Sequence, residues 1–454
     1  MKTKLIPFVA LLLFSVAATA QDVRFFDKIF QDVKKDSNIV YGSNYTYNFM
    51  NASIGLIEED QTIDIYQPVG DTAALRPLII WAHGGSFMGG TKDDADIVHF
   101  CNEFAQRGFV TASINYRLGF ELPVDSVEAV RTVYRALQDG RAAVRYMRSI
   151  ADSLNIDTSK IYFGGTSAGA FIALNMVYLN LNEEVPSYLD TNERLSINAI
   201  RGFGLDNIEG LTNTIDESSD IDGIINFCGA TKTLDWLADD YAINTPIISM
   251  HGTEDGTVPY ATRVINVNDI TPIPPQVPLP IVKVLGSYDI DKYLDNTSAT
   301  SKFYTWYGAD HVPYINFHSD SISNLYMDTL MSFTVKHVFE DFLGLGTVTG
   351  LGENEPPCDF NNGLELPCAA YNGVDDLVKN ESTAYPNPFN SVLNFNFNSD
   401  NSSILIFNAL GRKIYSSKNV ENTLALETKE WKTGVYFVKI KNRIGTQEFK
   451  LIKN

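Results

Sequence analysis

Residues 160–170 read KIYFGGTSAGA: a strand-like apolar run, two glycines, then Thr-Ser-Ala-Gly. Two readings compete for Gly165-Thr166-Ser167-Ala168-Gly169. One is a nucleophile elbow, a strand-to-helix turn that lifts a serine hydroxyl above a sheet edge. The other is a plain turn made of small residues. The motif alone does not decide, so the surrounding elements must.

Upstream, Leu78-Ile79-Ile80-Trp81-Ala82 is continuously apolar, with Pro77 before it and His83-Gly84-Gly85 after, as expected of a strand buried on both faces. Ile97, Cys101, Phe104 and Ala105 recur at helical spacing, and Gly108 closes that run. Phe109 to Ile114 reads as the next strand. Val130, Tyr134, Leu137, Val144, Met147, Ala151 and Leu154 then mark one long helix. Beyond the elbow, Phe171, Leu174, Val177 and Tyr178 share a helix face. Residues 224–227, 246–250 and 303–307 are further buried strands, and 322–342 a last helix. Repeated β-α-β units predict an α/β fold, a mostly parallel sheet with helices on both faces. In that setting Ser167 reads as a nucleophile, with the amide of Ala168 aimed at whatever it attacks.

A serine nucleophile needs amide donors for the oxyanion, a base and a group that orients the base. Gly84 and Gly85, after the buried strand, are the candidate donors, since glycine leaves the backbone N–H unobstructed. Asp255, in HGTEDGTVP after another strand, is the candidate acid, with Glu254 beside it as competitor. His311, in YGADHVPY after the last strand, is the candidate base, with His318 as a second choice. His251 reads as structural, bonding within its own turn. The chain order Ser167, Asp255, His311 suits an α/β-hydrolase triad. This chemistry calls for no metal and no cofactor.

Two insertions interrupt the rhythm. Residues 182–220 are polar. Residues 261–300 contain ITPIPPQVPLP, whose five prolines read as an extended surface loop. Both follow strand ends and could overhang the site. Residues 346–382 read as a linker in which Cys358 and Cys368, with no His or further Cys nearby to complete a metal site, favour a small disulfide loop. Cys101 and Cys228 read as buried thiols. From Thr383 to Asn454, short alternating strands (VLNFNFN, SILIFNAL, GVYFVKIK, EFKLI) predict a small C-terminal all-β sandwich domain.

The chain opens MKTKLIPFVALLLFSVAATAQ, which has the basic, apolar and Ala-x-Ala parts of a signal peptide over residues 1–20. Its apolar run falls short of the roughly 20 residues that span a bilayer, so the mature protein is expected to have no integral membrane segment. The net charge is −20, yet residues 383–454 hold ten Lys/Arg against five Asp/Glu, so the acidity lies in the body of the chain. An acidic body argues against nucleic acid or an anionic membrane as partner.

Six motifs, HGGSF, ASINYRLG, YRALQDGRAAVRYM, GGTSAG, HGTEDGTVP and GADH, make residues 61–342 similar to an α/β-hydrolase of the esterase/lipase (carboxylesterase) kind. The resemblance implies a serine hydrolase working through an acyl-enzyme, within a catalytic domain of residues 21–345. In it Ser167 is the nucleophile, His311 the base, Asp255 the acid, and the amides of Gly84, Gly85 and Ala168 the oxyanion hole. Ser86 stands where many such esterases carry a third glycine. The tail, through AYPNPFN, ILIFNALGRKIYSS, WKTGVYFVKIKN and KLIKN, resembles the C-terminal sorting domain of the Bacteroidetes type IX secretion system. That implies the type IX machinery as partner and passage through the periplasm to the medium or the cell surface. The expectation is a secreted carboxylesterase on short-acyl or polymer-linked esters, such as acetyl or feruloyl polysaccharide or a polyester. The alternatives are a serine peptidase of the prolyl-oligopeptidase type and an inactive hydrolase-fold binding domain.

Overall fold

Whether a strand can be apolar at every position depends on what covers its two faces. β1 (Val33–Tyr47), β2 (Leu56–Pro68), β3 (Arg76–Ala82), β4 (Val110–Ile114), β5 (Ile156–Thr166) and β6 (Gly223–Phe227) begin the chain of strands. β7 (Ala230–Thr231), β8 (Ile247–Gly252), β9 (Arg263–Asn266), β10 (Pro280–Gly286) and β11 (Ser301–Trp306) follow, and then the short antiparallel pair β12 (Ile315–Asn316) and β13 (Ser321–Ile322). Eight of these form one sheet in the order β1-β2-β4-β3-β5-β6-β8-β11. The β1 and β2 pairings are antiparallel, and every pairing from β4 to β11 is parallel. In β3, Leu78, Ile80 and Ala82 enter one core while Ile79 and Trp81 enter the other, so the unbroken apolar run is a strand covered on both sides.

The computed structural model describes residues 23–47, 56–120, 125–186, 207–266, 280–316, 321–347, 383–385, 389–397, 402–408, 412–420, 423–441 and 446–453. The expected signal peptide, the Cys358–Cys368 pair and the middle of both insertions lie outside these residues. The described residues fall into two compact units, residues 1–363 and 364–454. No helix among them is long and apolar enough to cross a membrane.

Helices α1 (Ala95–Ala105), α2 (Ser126–Ser149), α3 (Ala151–Leu154), α4 (Ala168–Tyr178), α5 (Asp240–Asn244), α6 (Ser287–Leu294) and α7 (Asn324–His337) complete the first unit. α2 and α4 pack on one face of the sheet, and α1 and α7 on the other. This is the α/β-hydrolase architecture. Asp125 starts α2 by accepting hydrogen bonds from the amides of Val127 and Glu128, both at 3.0 Å. The single long helix expected from the apolar spacing is in fact α2 and a separate turn, α3. Ile150 leaves helical geometry between them, and Asn155, at φ 51°, caps the turn in the left-handed region.

The proline-rich insertion also departs from expectation. Its described flanks are not loop: β9 and β10 form an antiparallel pair, with Ile265, Ile281 and Val284 buried. The alternation in PIVKVLG carried that signal, and the neighbouring prolines masked it. Cys101 and Cys228 are free, buried thiols, as anticipated.

The second unit holds two antiparallel sheets. One is β14 (Thr383–Tyr385), β15 (Val392–Asn396) and β18 (Thr423–Glu427). The other runs β17 (Lys413–Val420), β16 (Ser402–Asn408), β19 (Gly434–Lys441) and β20 (Thr446–Lys453). Their shared core includes Phe389, Leu393, Phe395, Ile404, Ile406, Val438 and Ile440. Along β19, Tyr436, Val438 and Ile440 are buried while Phe437, Lys439 and Lys441 are exposed, the period-two pattern legible in GVYFVKIK.

Packing at the elbow leaves no room for a side chain on either of its outer glycines. A Cβ on Gly169 would lie 2.0 Å from the Ala82 carbonyl oxygen, and one on Gly165 would lie 2.2 Å from the Gly169 carbonyl carbon. Backbone cannot step aside as a flexible side chain can. We expect Gly169→Ala to destabilise the fold by about 2–3 kcal/mol, the upper range for overpacking, as read from urea denaturation midpoints.

Candidate active site

The parallel sheet brings the ends of three strands to one edge. β5 runs straight into α4 through Ser167, which has φ 53° and ψ −115°. Such a backbone costs on the order of 1–3 kcal/mol and persists only where the surroundings enforce it. Here Ser167 N–H donates to the Phe227 carbonyl at 2.8 Å, tying the elbow to the end of β6. β8 and β11 pair in parallel up to Gly252 and Trp306, so the loops that follow them are neighbours. Two amide bonds lace those loops together, Thr253 to the Trp306 carbonyl and Glu254 to the Ala309 carbonyl, each at 3.0 Å.

The result is a continuous relay. Ser167 Oγ lies 2.7 Å from His311 Nε2, and His311 Nδ1 lies 2.6 Å from Asp255 Oδ2. An ionised carboxylate only accepts, so His311 carries its proton on Nδ1 and leaves Nε2 free to accept from Ser167. Asp255 Oδ1 accepts from the amides of Thr257 and Val258 at 2.9 and 2.8 Å. Burial pushes the Asp255 carboxyl up, but hydrogen bonds from His251 and His311 outweigh burial and hold it well below the usual carboxylate range. Glu254, the competing acid, is exposed and does not join the relay. His318 lies outside the described residues.

His251 is not confined to its own turn. It is fully buried, and its Nε2 lies 3.1 Å from Asp255 Oδ2 and 3.1 Å from the Val258 carbonyl. Its Nδ1 lies 2.8 Å from Ser287 Oγ, which is 36 residues away in sequence. Nothing in the local text pointed to Ser287.

The candidate oxyanion donors lie beside the serine. A Cβ on Gly84 would sit 3.5 Å from Ser167 Cβ, so this backbone approaches Ser167 closely. His83 Nδ1 donates to the Gly84 carbonyl at 2.7 Å, and its ring stacks on Tyr116 with centroids 4.3 Å apart. Because a trans peptide opposes its C=O and N–H, pinning that carbonyl turns the Gly85 N–H the other way. Burial holds His83 below its ordinary range, which keeps the ring neutral. Among the described residues the amides of Gly84, Gly85 and Ala168 donate to no other backbone group. Ser86 and Phe87, at φ 55° and 59°, bend the loop in the left-handed region and bring Phe87 into a cavity wall.

That cavity opens at Ser167 and Ala168 and is almost wholly apolar. Val133 and Leu137 of α2, Phe171 of α4, and Trp236 form part of its lining. Ile265 of β9 and Ile281 and Val284 of β10 form another part, so the flanks of the proline-rich insertion do border the site. From the other insertion, Pro186 reaches the cavity.

Residues 63–265 match the BD-FAE family, and residues 383–454 match the secretion system C-terminal sorting domain. Gut esterase 1 of Caenorhabditis elegans is 28% identical over 113 residues, 25% of this chain and 20% of its own length. Carboxylesterase 3B of Mus musculus is 28% identical over 147 residues, 32% of this chain and 24% of its own. The chain thus spans only a quarter or less of these relatives. Among solved structures, esterase 2 of Thermogutta terrifontis phosphorylated by paraoxon is 20% identical with a TM-score of 0.44, covering 70% of this chain and 96% of that one. Residues 63–265 are thus similar to the BD-FAE family, and residues 383–454 to the C-terminal sorting domain.

A second buried carboxylate stands behind the elbow. Asp96 accepts from Thr166 Oγ1 at 2.9 Å, and Tyr314 O–H donates to the same Thr166 oxygen at 3.1 Å. Burial raises Asp96 from 3.8 to about 6, against the lowering effect of the Thr166 bond. The folded state holds this proton more tightly than the unfolded chain does, so stability falls as pH rises from about 3.8 to about 6. The difference amounts to roughly 3 kcal/mol. Asp96→Asn is therefore expected to raise the melting temperature relative to wild type at pH 7.5, with the gap closing near pH 4.

Proposed function

We propose that this chain is a secreted serine carboxylic-ester hydrolase acting through an acyl-enzyme, with Ser167 as nucleophile, His311 as base and Asp255 as acid. The observation that carries this reading is the unbroken Ser167–His311–Asp255 relay, 2.7 and 2.6 Å, at the mouth of an apolar cavity. Ser167 Oγ attacks the ester carbonyl while its proton passes to His311 Nε2. The amides of Gly84, Gly85 and Ala168 receive the oxyanion. Collapse expels the alcohol, which takes the proton from His311. Water, activated by the same imidazole, then attacks the acyl-enzyme and releases the acid and Ser167. Asp255 holds the His311 tautomer throughout and balances the imidazolium formed in each half-reaction.

The relatives named for esterase activity support an ester substrate. The apolar cavity supports an uncharged acyl or alcohol group, short or aromatic, and export supports esters met outside the cell, polymer-linked ones included. The sorting domain supports delivery by the type IX machinery, through the periplasm, to the medium or the cell surface. Domain limits of 1–20, 21–345, 346–382 and 383–454 suit this scheme.

Hydrolysis of p-nitrophenyl acetate, butyrate and octanoate tests the reading. We expect kcat/KM to fall from butyrate to octanoate, and Ser167→Ala to lower it by about 10⁴-fold or more. Turnover by Ser167→Ala at the wild-type rate would overturn the assignment. For export, a chain ending at residue 382, made in a host with the type IX system, should accumulate in the periplasm while the full chain reaches the medium or surface.

A further inference from the structure

Resting on that reading of the triad, we infer that His251 is a positioning residue for it: its Nε2–H shares the Asp255 Oδ2 atom with His311 and fixes how the carboxylate is turned. The assignment follows from donors and acceptors. Asp255 Oδ2 and the Val258 carbonyl, both 3.1 Å from Nε2, only accept, so the His251 proton must reside on Nε2. Nδ1 is then an acceptor, and the group 2.8 Å away is the Ser287 hydroxyl. Ser287 in turn accepts from Asn226 Nδ2 at 2.9 Å, and Asn226 Oδ1 is fixed by the Gly229 amide at 2.9 Å. One proton at each link of the chain Asn226, Ser287, His251, Asp255 thus points toward the triad carboxylate, while the second Asn226 amide proton goes to Ser249. His251 and Asn226 are fully buried and Ser287 is 1% exposed, so no water competes along the way.

The carboxylate has four donors, two on each oxygen. Those on Oδ1 belong to its own loop, Thr257 and Val258. On Oδ2, His311 is the partner that must change charge during turnover, which leaves His251 as the fixed one. Other groups facing this carboxylate do not substitute for it. Cys228 and Tyr314 are buried and kept protonated by that burial. Asp310 spends its Oδ1 on the amides of Gly256 and His311. Without His251 the Asp255 charge is less dispersed, and Oδ2 is held by His311 alone. It then attracts the His311 proton more strongly, and the imidazolium persists to higher pH.

The test pairs two substitutions. The amide nitrogen of Gln overlays Nε2 of His, so His251→Gln keeps the donor to Asp255. Asn overlays Nδ1, so His251→Asn keeps only the Ser287 side. We expect His251→Asn to lower kcat about tenfold with KM unchanged, and to move the acidic limb of the pH–rate profile to higher pH by about half a unit. His251→Gln should stay within about threefold of wild type with an unmoved limb. Equal losses in both variants, or an unmoved limb in His251→Asn, would overturn the inference. If neither variant folds, ¹⁵N-histidine NMR of the wild-type protein decides. A proton on Nε2 of His251 supports the network and a proton on Nδ1 removes it. Because that spectrum needs no substrate, an enzyme inactive on every ester would sink the proposed function without deciding the role of His251.

Discussion

Three backbones meet at the elbow with no room for a single methyl group between them. The end of β3, the end of β5 and the start of α4 approach so closely that Gly165 and Gly169 cannot carry a Cβ. This contact holds Ser167 at a positive φ, and the strain is tolerated because moving the serine would require moving the sheet. The Ser167 hydroxyl is therefore located by the packing of elements, and the cost is spread over a large buried core on both faces of the sheet.

Two buried carboxylates within this core show how surroundings decide charge. Both lose water on folding, and burial is the largest influence on each. Asp255 recovers more than it loses because four donors converge on it, two of them histidine rings. Asp96 receives fewer and weaker compensations, and the nearby Asp94 charge opposes its ionisation. One group is thereby kept anionic beside His311, and the other stays poised close to neutral pH behind Thr166. Desolvation alone would have treated them alike; the count and charge of donors separates them.

The cavity beside the serine is assembled from distant parts of the chain. α2 supplies one wall, and β9 and β10 supply another across the sheet edge. The strand pair also delivers Ser287, through Gly286, whose missing Cβ allows the chain to pass against the Pro259 and Tyr260 carbonyls. The same strand pair thus borders the apolar cavity and leads to the hydroxyl that meets His251.

The sequence alone determined the α/β architecture, because a strand buried on both faces must be apolar throughout and a helix covering it must repeat near 3.6. It also picked out Ser167, Asp255, His311, Gly84 and Gly85 as candidates, since each follows a readable strand where a parallel sheet exposes its loops. Local text placed Asp255 ahead of Glu254 without removing Glu254 as a competitor. That choice depends on which carboxyl turns inward, and only the pairing of β8 with β11 sets it. Nor could local text assign His251, whose deciding partner, Ser287, lies 36 residues away and comes near only when β10 and α6 pack on the end of β8. The hairpin of β9 and β10 was hidden for a related reason: prolines dominate local propensity, while burial against α2 is a tertiary effect. Periodicity is written residue by residue; which side chains converge on one atom is decided by the folded backbone.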